Sequence, residues 1–333
     1  MKDLLNHLFN HNSLSSDQAK SILTEISEGK HNEAQVAAFI SVFLMRNISV
    51  DELKGFTEAL LELRVPLDFG DIDAIDLCGT GGDGKNTFNI STLTSLVVAG
   101  AGYFVTKHGN YGVSSICGSS NVLESLGYKF SNNKSTLEHQ LESSNICFLH
   151  APLFHPAMKF VGPIRKQLGI KTFFNMLGPL VNPAQPNHQM TGVFSLHLQR
   201  LYQYLLQDSD INFNIVFGLS GFDEISLTDK AQVISRSGIR HVDYNYFKTD
   251  ALKLDQIHGG DTIEEACDIF ISVLKNKCTT AHKNVVLANA ALAIQTFNQE
   301  KDIMTCWSEA EESLNSGKAF DGFIKIIEIS QAA

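Results

Sequence analysis

One segment constrains this chain more than any other. A short apolar run ending at Asp76 passes into Leu-Cys-Gly-Thr-Gly-Gly-Asp-Gly-Lys-Asn-Thr-Phe-Asn-Ile-Ser-Thr92, which reads as a buried strand, a glycine-rich loop and the start of a helix near Ser91. Glycines let backbone N–H groups approach an anion, and the helix N-terminus adds the positive end of its dipole. The loop is therefore expected to hold phosphate. It nearly matches two nucleotide motifs. Gly79, Gly81 and Gly84 satisfy GxGxxG, but the helix starts late and the next strand ends in Lys107-His108 rather than an acidic residue, which opposes a dinucleotide site. Gly79 to Lys85 satisfies GxxxxGK, but Asn86 replaces the hydroxyl residue that holds Mg²⁺ in a P-loop.

The surrounding pattern sets the fold class. Residues 1–66 read as helix only: Ser15 or Ser16 caps the run Ala19, Ile22, Leu23, Ile26, Ala37 to Met45 is apolar, and Ser49-Val-Asp-Glu52 is a capping box. From Ala74 onward, short apolar runs alternate with helices: Ile75–Cys78, Tyr103–Thr106, Ile146–Leu149, Met190–Phe194 and Phe213–Phe217. Such alternation predicts a mostly parallel sheet covered by helices. Pro156 to Gly169 and Lys171 to Leu177 read as helices inserted into this part and are expected to pack on the N-terminal ones. The expectation is an α/β protein with a small all-helical domain over 1–70, joined by helices at 156–183, and a larger α/β domain from 71–155 and 184–333.

Three further stretches carry chemistry. Lys107-His-Gly-Asn-Tyr-Gly-Val-Ser-Ser115 follows the second strand, and Gly118-Ser119-Ser120 opens a helix. Loops after neighbouring parallel strands meet at one edge, so two phosphate-binding elements there suggest a ligand with two phosphate groups; Ser119 or Ser120 also fits a plain helix cap. Asp223 and Glu224 lie in a glycine-bracketed loop after an apolar strand. Adjacent carboxylates beside phosphates suit Mg²⁺, with Ser91 able to add a hydroxyl. Arg165 projects from an apolar segment, His150 to Arg165, where a guanidinium can bind a planar carboxylate through two N–H groups.

Charge and composition exclude other classes. The chain has 333 residues, 44% hydrophobic and 19% charged, with a formal charge of −10, which argues against disorder and against non-specific binding of nucleic acid or anionic membrane. Its six cysteines (Cys78, Cys117, Cys147, Cys267, Cys278, Cys306) form no CxxC pair, fitting a reduced compartment. The N-terminal stretch lacks a signal-peptide pattern and no long apolar run spans a membrane, so a cytoplasmic location is expected.

These blocks together resemble the anthranilate phosphoribosyltransferases of tryptophan biosynthesis. The resemblance rests on Asp-Leu-Cys-Gly-Thr-Gly-Gly-Asp83, Asn-Ile-Ser-Thr92, Lys-His-Gly-Asn110, Phe-His-Pro-Ala-Met-Lys159, Pro-Ile-Arg-Lys-Gln-Leu-Gly169, Asn-Met-Leu-Gly-Pro-Leu-Val-Asn-Pro183 and Gly-Phe-Asp-Glu-Ile-Ser226, in the family's order. It implies Mg²⁺-dependent transfer of phosphoribosyl from phosphoribosyl pyrophosphate to the anthranilate nitrogen, by a homodimer formed through the helical domain, with no nucleic-acid or membrane partner.

Matched by position, phosphoribosyl pyrophosphate would meet Gly79, Gly82, Asp83, Thr87, Asn89, Ile90, Ser91, Thr92, the run Lys107, His108, Gly109, Asn110, Tyr111, Gly112, Val113, Ser114, Ser115, and Ser119. The metal would take Ser91, Asp223 and Glu224, and anthranilate would meet Gly79, Asn110 and Arg165; Lys107, His108 and Arg165 would be catalytic, with His108 and an Ala151-Pro152 turn lining the anthranilate channel. The chain departs from the family's usual residues at Tyr111, Cys117 and Phe217, which bears on affinity for the pyrophosphate end. Two alternatives stay open: a pyrimidine nucleoside phosphorylase-like enzyme, which needs no acidic metal pair, and a diverged, non-catalytic nucleic-acid-binding relative, which should be basic.

Overall fold

The computed structural model describes residues 1–112 and 117–332. It forms two compact units, Met1–Leu67 with Ala151–Gln185, and Asp68–His150 with Pro186–Ala333.

The first unit is helical. Its helices Lys2–Phe9, Ser16–Ser27, Glu33–Met45 and Val50–Glu62 start where short polar side chains satisfy orphan N–H groups: Ser15, Asn32 and Ser49 each form a capping box. Ala151–Phe154 is a one-turn helix rather than a turn, and Met158–Leu168 follows it. Lys171 to Leu177 does not make the expected α-helix; it holds one 3-10 turn, Phe173–Met176, and a second, Gly178–Leu180, follows it, since Pro179 lacks the N–H that a continuing helix needs. Phe173 of this segment stacks on Phe56 at 4.7 Å and meets Phe39 and Phe43 edge-on, so the inserted piece packs on the N-terminal helices.

Glu52 does more than cap. Its fully buried carboxylate accepts from Arg46 at 2.6 and 2.9 Å and from the Ser49 and Leu14 N–H groups at 2.9 Å each. Burial pushes its pKa up, but Arg46 and the two N–H donors outweigh that and leave it below the usual range. The stabilisation is thus present above the unfolded pKa and is lost as pH falls. Glu52→Ala should cost about 3 kcal/mol, since it leaves Arg46 half of a broken pair; urea denaturation followed by circular dichroism measures it, and a loss below about 1 kcal/mol would contradict the reading.

The second unit holds a seven-stranded sheet in the order β3-β2-β1-β4-β5-β6-β7. Its strands are β1 (Ala74–Asp76), β2 (Phe104–Gly109), β3 (Ile146–His150), β4 (His188–Gly192), β5 (Asn212–Gly218), β6 (Ala231–Ser235) and β7 (Gly238–Val242). β1 to β5 are parallel, while β6 and β7 add antiparallel. The helix Thr280–Phe297 is buried along almost its whole length within the core, so its composition is apolar all round rather than two-faced. Among the described residues no helix is long and apolar enough to cross a membrane.

Candidate functional site

Strand order locates the site. The chain builds outward from β1 to β2 and β3 on one side, then returns to β4 on the other. In open parallel sheets ligands bind outside the carboxyl ends of the strands at such a reversal, where loops splay apart. Here the glycine loop after β1 meets the end of β4: the Thr80 N–H donates to the Gly192 carbonyl at 2.9 Å.

The acidic pair comes to the same place from the loop after β5. Asp223 Oδ2 accepts from the Gly81 N–H at 2.9 Å, and Glu224 Oε1 from the Ser91 N–H at 3.2 Å. A Cβ on Gly79 would lie 2.9 Å from Asp223 Oδ2, and one on Gly192 would lie 1.5 Å from the Asp223 carbonyl oxygen. Glycine is obligatory at the second position, because a backbone atom cannot step aside. Gly192→Ala should displace the acidic loop and cost about 3 kcal/mol, at the upper end for overpacking; activity and melting temperature should fall together, and a variant with both intact would refute this account.

Lys107, 2% exposed on β2, donates from Nζ to the Leu77 carbonyl at 2.5 Å and to Ser91 Oγ at 3.5 Å. A cation, two carboxylates and the first turn of the helix Ile90–Gly100 therefore converge on one point. Burial pushes Asp223 up to about 7, helped by the charge of Asp83 and a hydrogen bond with it. Burial raises Glu224 well above the carboxylate range too, with Asp223 and Asp83 adding to the rise and Lys107 opposing it. Among the described residues no three His, Cys, Asp or Glu side chains make a metal-binding group. A buried and a half-buried carboxylate that repel each other are hard oxygen donors of the kind that suits a divalent cation sharing phosphate oxygens.

The remaining predicted residues distribute as follows. Gly82 has φ +81°, Thr87 bridges to His258, and the Asn89 amide donates to the Cys117 carbonyl at 2.9 Å. Ile90 and Thr92 are buried, and the His108 N–H donates to Asp76 Oδ1 at 3.1 Å while its ring is buried. The Asn110 carbonyl accepts from Ser119 Oγ at 3.0 Å, and a Cβ on Gly109 would touch that same hydroxyl at 2.8 Å. Neither Ser119 nor Ser120 is the helix cap; Gly118 occupies that position. Val113, Ser114 and Ser115 lie outside the described residues.

Comparison with known proteins matches this arrangement. Residues 71–320 fit the model of the glycosyl transferase family a/b domain, and residues 2–63 that of its helical bundle domain. The anthranilate phosphoribosyltransferase of Christiangramia forsetii is 53% identical over 99% of this chain and 100% of that protein, and the one from Bacteroides fragilis 50% identical over 99% and 100%. This chain belongs to the anthranilate phosphoribosyltransferase family. Among solved structures, the enzyme from Thermus thermophilus superposes with a TM-score of 0.89 at 27% identity, covering 98% of this chain and 99% of that one. The Saccharomyces cerevisiae enzyme in complex with PRPP and Mg superposes at 0.90 and 26% identity, covering 99% and 97%.

Within the helical unit of this phosphoribosyltransferase, Arg165 lies on the helix Met158–Leu168 with its guanidinium 5.2 Å over the Phe174 ring and 3.3 Å from Asn175 Oδ1. A planar guanidinium can bind a planar anion through two parallel N–H groups. The departures also have places: Tyr111 donates to Glu124 Oε1 at 2.8 Å, Phe217 is buried in β5, and burial pushes the Cys117 thiol up to about 11.

Several supporting residues escape sequence reading. Gly192 looks like an ordinary strand end, although a glycine there is a known mark of close backbone approach. Asn289 accepts from the Ile225 N–H at 3.1 Å and donates to the Ile225 carbonyl at 2.9 Å, clamping the acidic loop; an amide in the middle of the apolar run Val285 to Ile294 was the available signal. Asn86 ties the far end of the glycine loop to the Gly260 carbonyl at 2.8 Å, a link across 174 residues that no local pattern announces.

Proposed function

We propose that the α/β unit of this chain binds phosphoribosyl pyrophosphate at the β1/β4 reversal with Mg²⁺ held through Asp223, Glu224 and the Ser91 hydroxyl, and that Arg165 binds the carboxylate of anthranilate. The reaction is that of its family, transfer of phosphoribosyl to the anthranilate nitrogen in tryptophan biosynthesis. One observation carries the residue-level reading: the buried carboxylate of Asp223 and the half-buried one of Glu224 are bonded to N–H groups of the glycine loop and the helix start, beside buried Lys107.

The chemistry needs a stabilised leaving group. The ribose C1–O bond breaks with its electron pair going to pyrophosphate, the amine lone pair forms the C1–N bond, and the nitrogen then releases a proton. Mg²⁺ supplies charge neutralisation on the pyrophosphate. Loop N–H groups and Lys107 stabilise the developing negative charge without reorganising, while Asn110 and the residues of its loop, Gly82, Asp83, Thr87, Asn89 and Ser119 are the further contacts of the phosphoribosyl end. An aromatic amine is neutral at pH 7 with its lone pair free, so no strong base is required, and Arg165 acts by orientation. His108 backs the same loop through its N–H bond to Asp76.

The metal reading predicts a pH effect of definite sign. A carboxyl whose pKa is 3.8 unfolded and about 7 folded opposes folding once it ionises, so metal-free stability falls across that window as pH rises. A bound divalent cation removes the penalty. MgCl₂ should therefore raise the melting temperature more at pH 8 than at pH 6, measured by scanning calorimetry, and anthranilate fluorescence should be lost only when protein, phosphoribosyl pyrophosphate and MgCl₂ are all present and EDTA is absent. Equal shifts at both pH values would remove the metal from these carboxylates.

The adjacent Leu44 and Met45 of the helical unit are both exposed, which supports a homodimer through that unit, since a partner would cover them. Analytical ultracentrifugation decides it. The reduced cysteines support a cytoplasmic location.

A further inference from the structure

The loop after β2 is held from behind by Asn121 and by the Ser120–His150 pair. Asn121 Oδ1 accepts from both the Gly112 and Gly118 N–H groups, each at 3.0 Å, and a Cβ on Gly118 would lie 2.1 Å from the Gly112 nitrogen, so the two backbone stretches touch. The Asn110 carbonyl accepts from Ser119 Oγ at 3.0 Å and the Ser120 N–H at 3.2 Å. Behind them stands His150, the last residue of β3. Its Nδ1 is 2.9 Å from Ser120 Oγ, its ring stacks on Phe130 at 4.5 Å, and Tyr111 meets it edge-on at 4.8 Å. Tyr111 in turn donates to Glu124 at 2.8 Å. Burial holds the imidazole below its ordinary pKa against the pull of Glu124, so the ring is uncharged at neutral pH.

We infer that His150 is a positioning residue for phosphoribosyl pyrophosphate: through Ser120 on one side and the Tyr111 ring on the other, it sets the backbone of Asn110 to Gly112 in the form that receives the substrate. The inference rests on the proposed contacts of that loop. A buried ring with one hydrogen bond and two aromatic neighbours is held in place, and backbone at Asn110 to Gly112 that is already set loses little entropy on binding, which is how preorganisation raises affinity. His150 touches no reacting atom on this account, so its effect belongs in KM rather than kcat.

Two variants separate the links. His150→Phe keeps both ring contacts and removes Nδ1, and Ser120→Ala removes the partner hydroxyl with little risk to folding. Each should raise KM for phosphoribosyl pyrophosphate about fivefold to tenfold, the range of one lost hydrogen bond, with kcat within about twofold. His150→Asn, whose amide reaches the Nδ1 position, should recover part of the loss, and hydrogen exchange at the Gly112 amide should quicken in the two impaired variants. An unchanged KM in either variant, or a fall in kcat with KM unchanged, overturns the inference. Calorimetric titration of the unaltered protein with phosphoribosyl pyrophosphate and MgCl₂ tells the two levels apart: no binding removes the reading of the loop and this inference with it, whereas binding that both variants match removes this inference alone.

Discussion

Asp223→Asn should lower kcat/KM by on the order of 10²–10³, equivalent to about 3–4 kcal/mol, the range for removing one preorganised electrostatic group from a transition state. The substitution isolates charge from shape. Asparagine keeps an oxygen that can accept the Gly81 N–H, now 2.9 Å from Asp223 Oδ2, so the glycine loop retains its tether. The buried negative charge, which desolvation already disfavours, is removed. Metal-free stability should accordingly stay level or rise while activity collapses, and added MgCl₂ should no longer raise the melting temperature as it does in the parent. Steady-state kinetics across MgCl₂ concentrations alongside calorimetry would test this. Activity within threefold of the parent at saturating MgCl₂ would end the assignment of Asp223 to the metal.

Arg165→Ala should raise KM for anthranilate about 30-fold to 100-fold and leave KM for phosphoribosyl pyrophosphate nearly unchanged. Charge-assisted hydrogen bonds contribute about 1.5–3 kcal/mol each, and each 1.4 kcal/mol is a factor of ten. The guanidinium is presented rigidly, over Phe174 and against Asn175, so lysine, which lacks the planar fork, should recover only a small part. Equal changes in the two KM values would show that Arg165 serves the fold of its helix rather than the acceptor.

The legibility of these features follows a physical rule. Glycine loops, capping boxes and strand-to-helix alternation are local: Ser49 and Glu52 cap a helix three residues away, as their spacing requires. β1, β3 and β5 were legible because burial on both faces favours apolar runs, whereas β4, His-Gln-Met-Thr-Gly192, is buried yet mostly polar and was marked only by the run Met190–Phe194 that overlaps its end. β6 and β7 were not, since β7 lies at the sheet edge, mostly exposed, and its residues Gly-Ile-Arg-His-Val242 alternate weakly. The helix expected at Lys171 to Leu177 is a single 3-10 turn, Phe173–Met176, a short-range competition that the following Gly178-Pro179 won.

The same rule divides the site. From sequence alone came the helical block, the α/β class, the phosphate loop, the acidic pair and the family's residues, because each is encoded in contiguous positions whose chemistry is visible in order. Only the tertiary structure decided that Asp223 bonds to Gly81 across 142 residues, that Gly192 must lack a side chain, that Asn289 clamps the acidic loop, and that His150 stands behind Asn110 to Gly112. Those relations depend on which strands become neighbours, and strand order is set by how buried faces pack against each other, a property of the whole chain that no segment carries by itself.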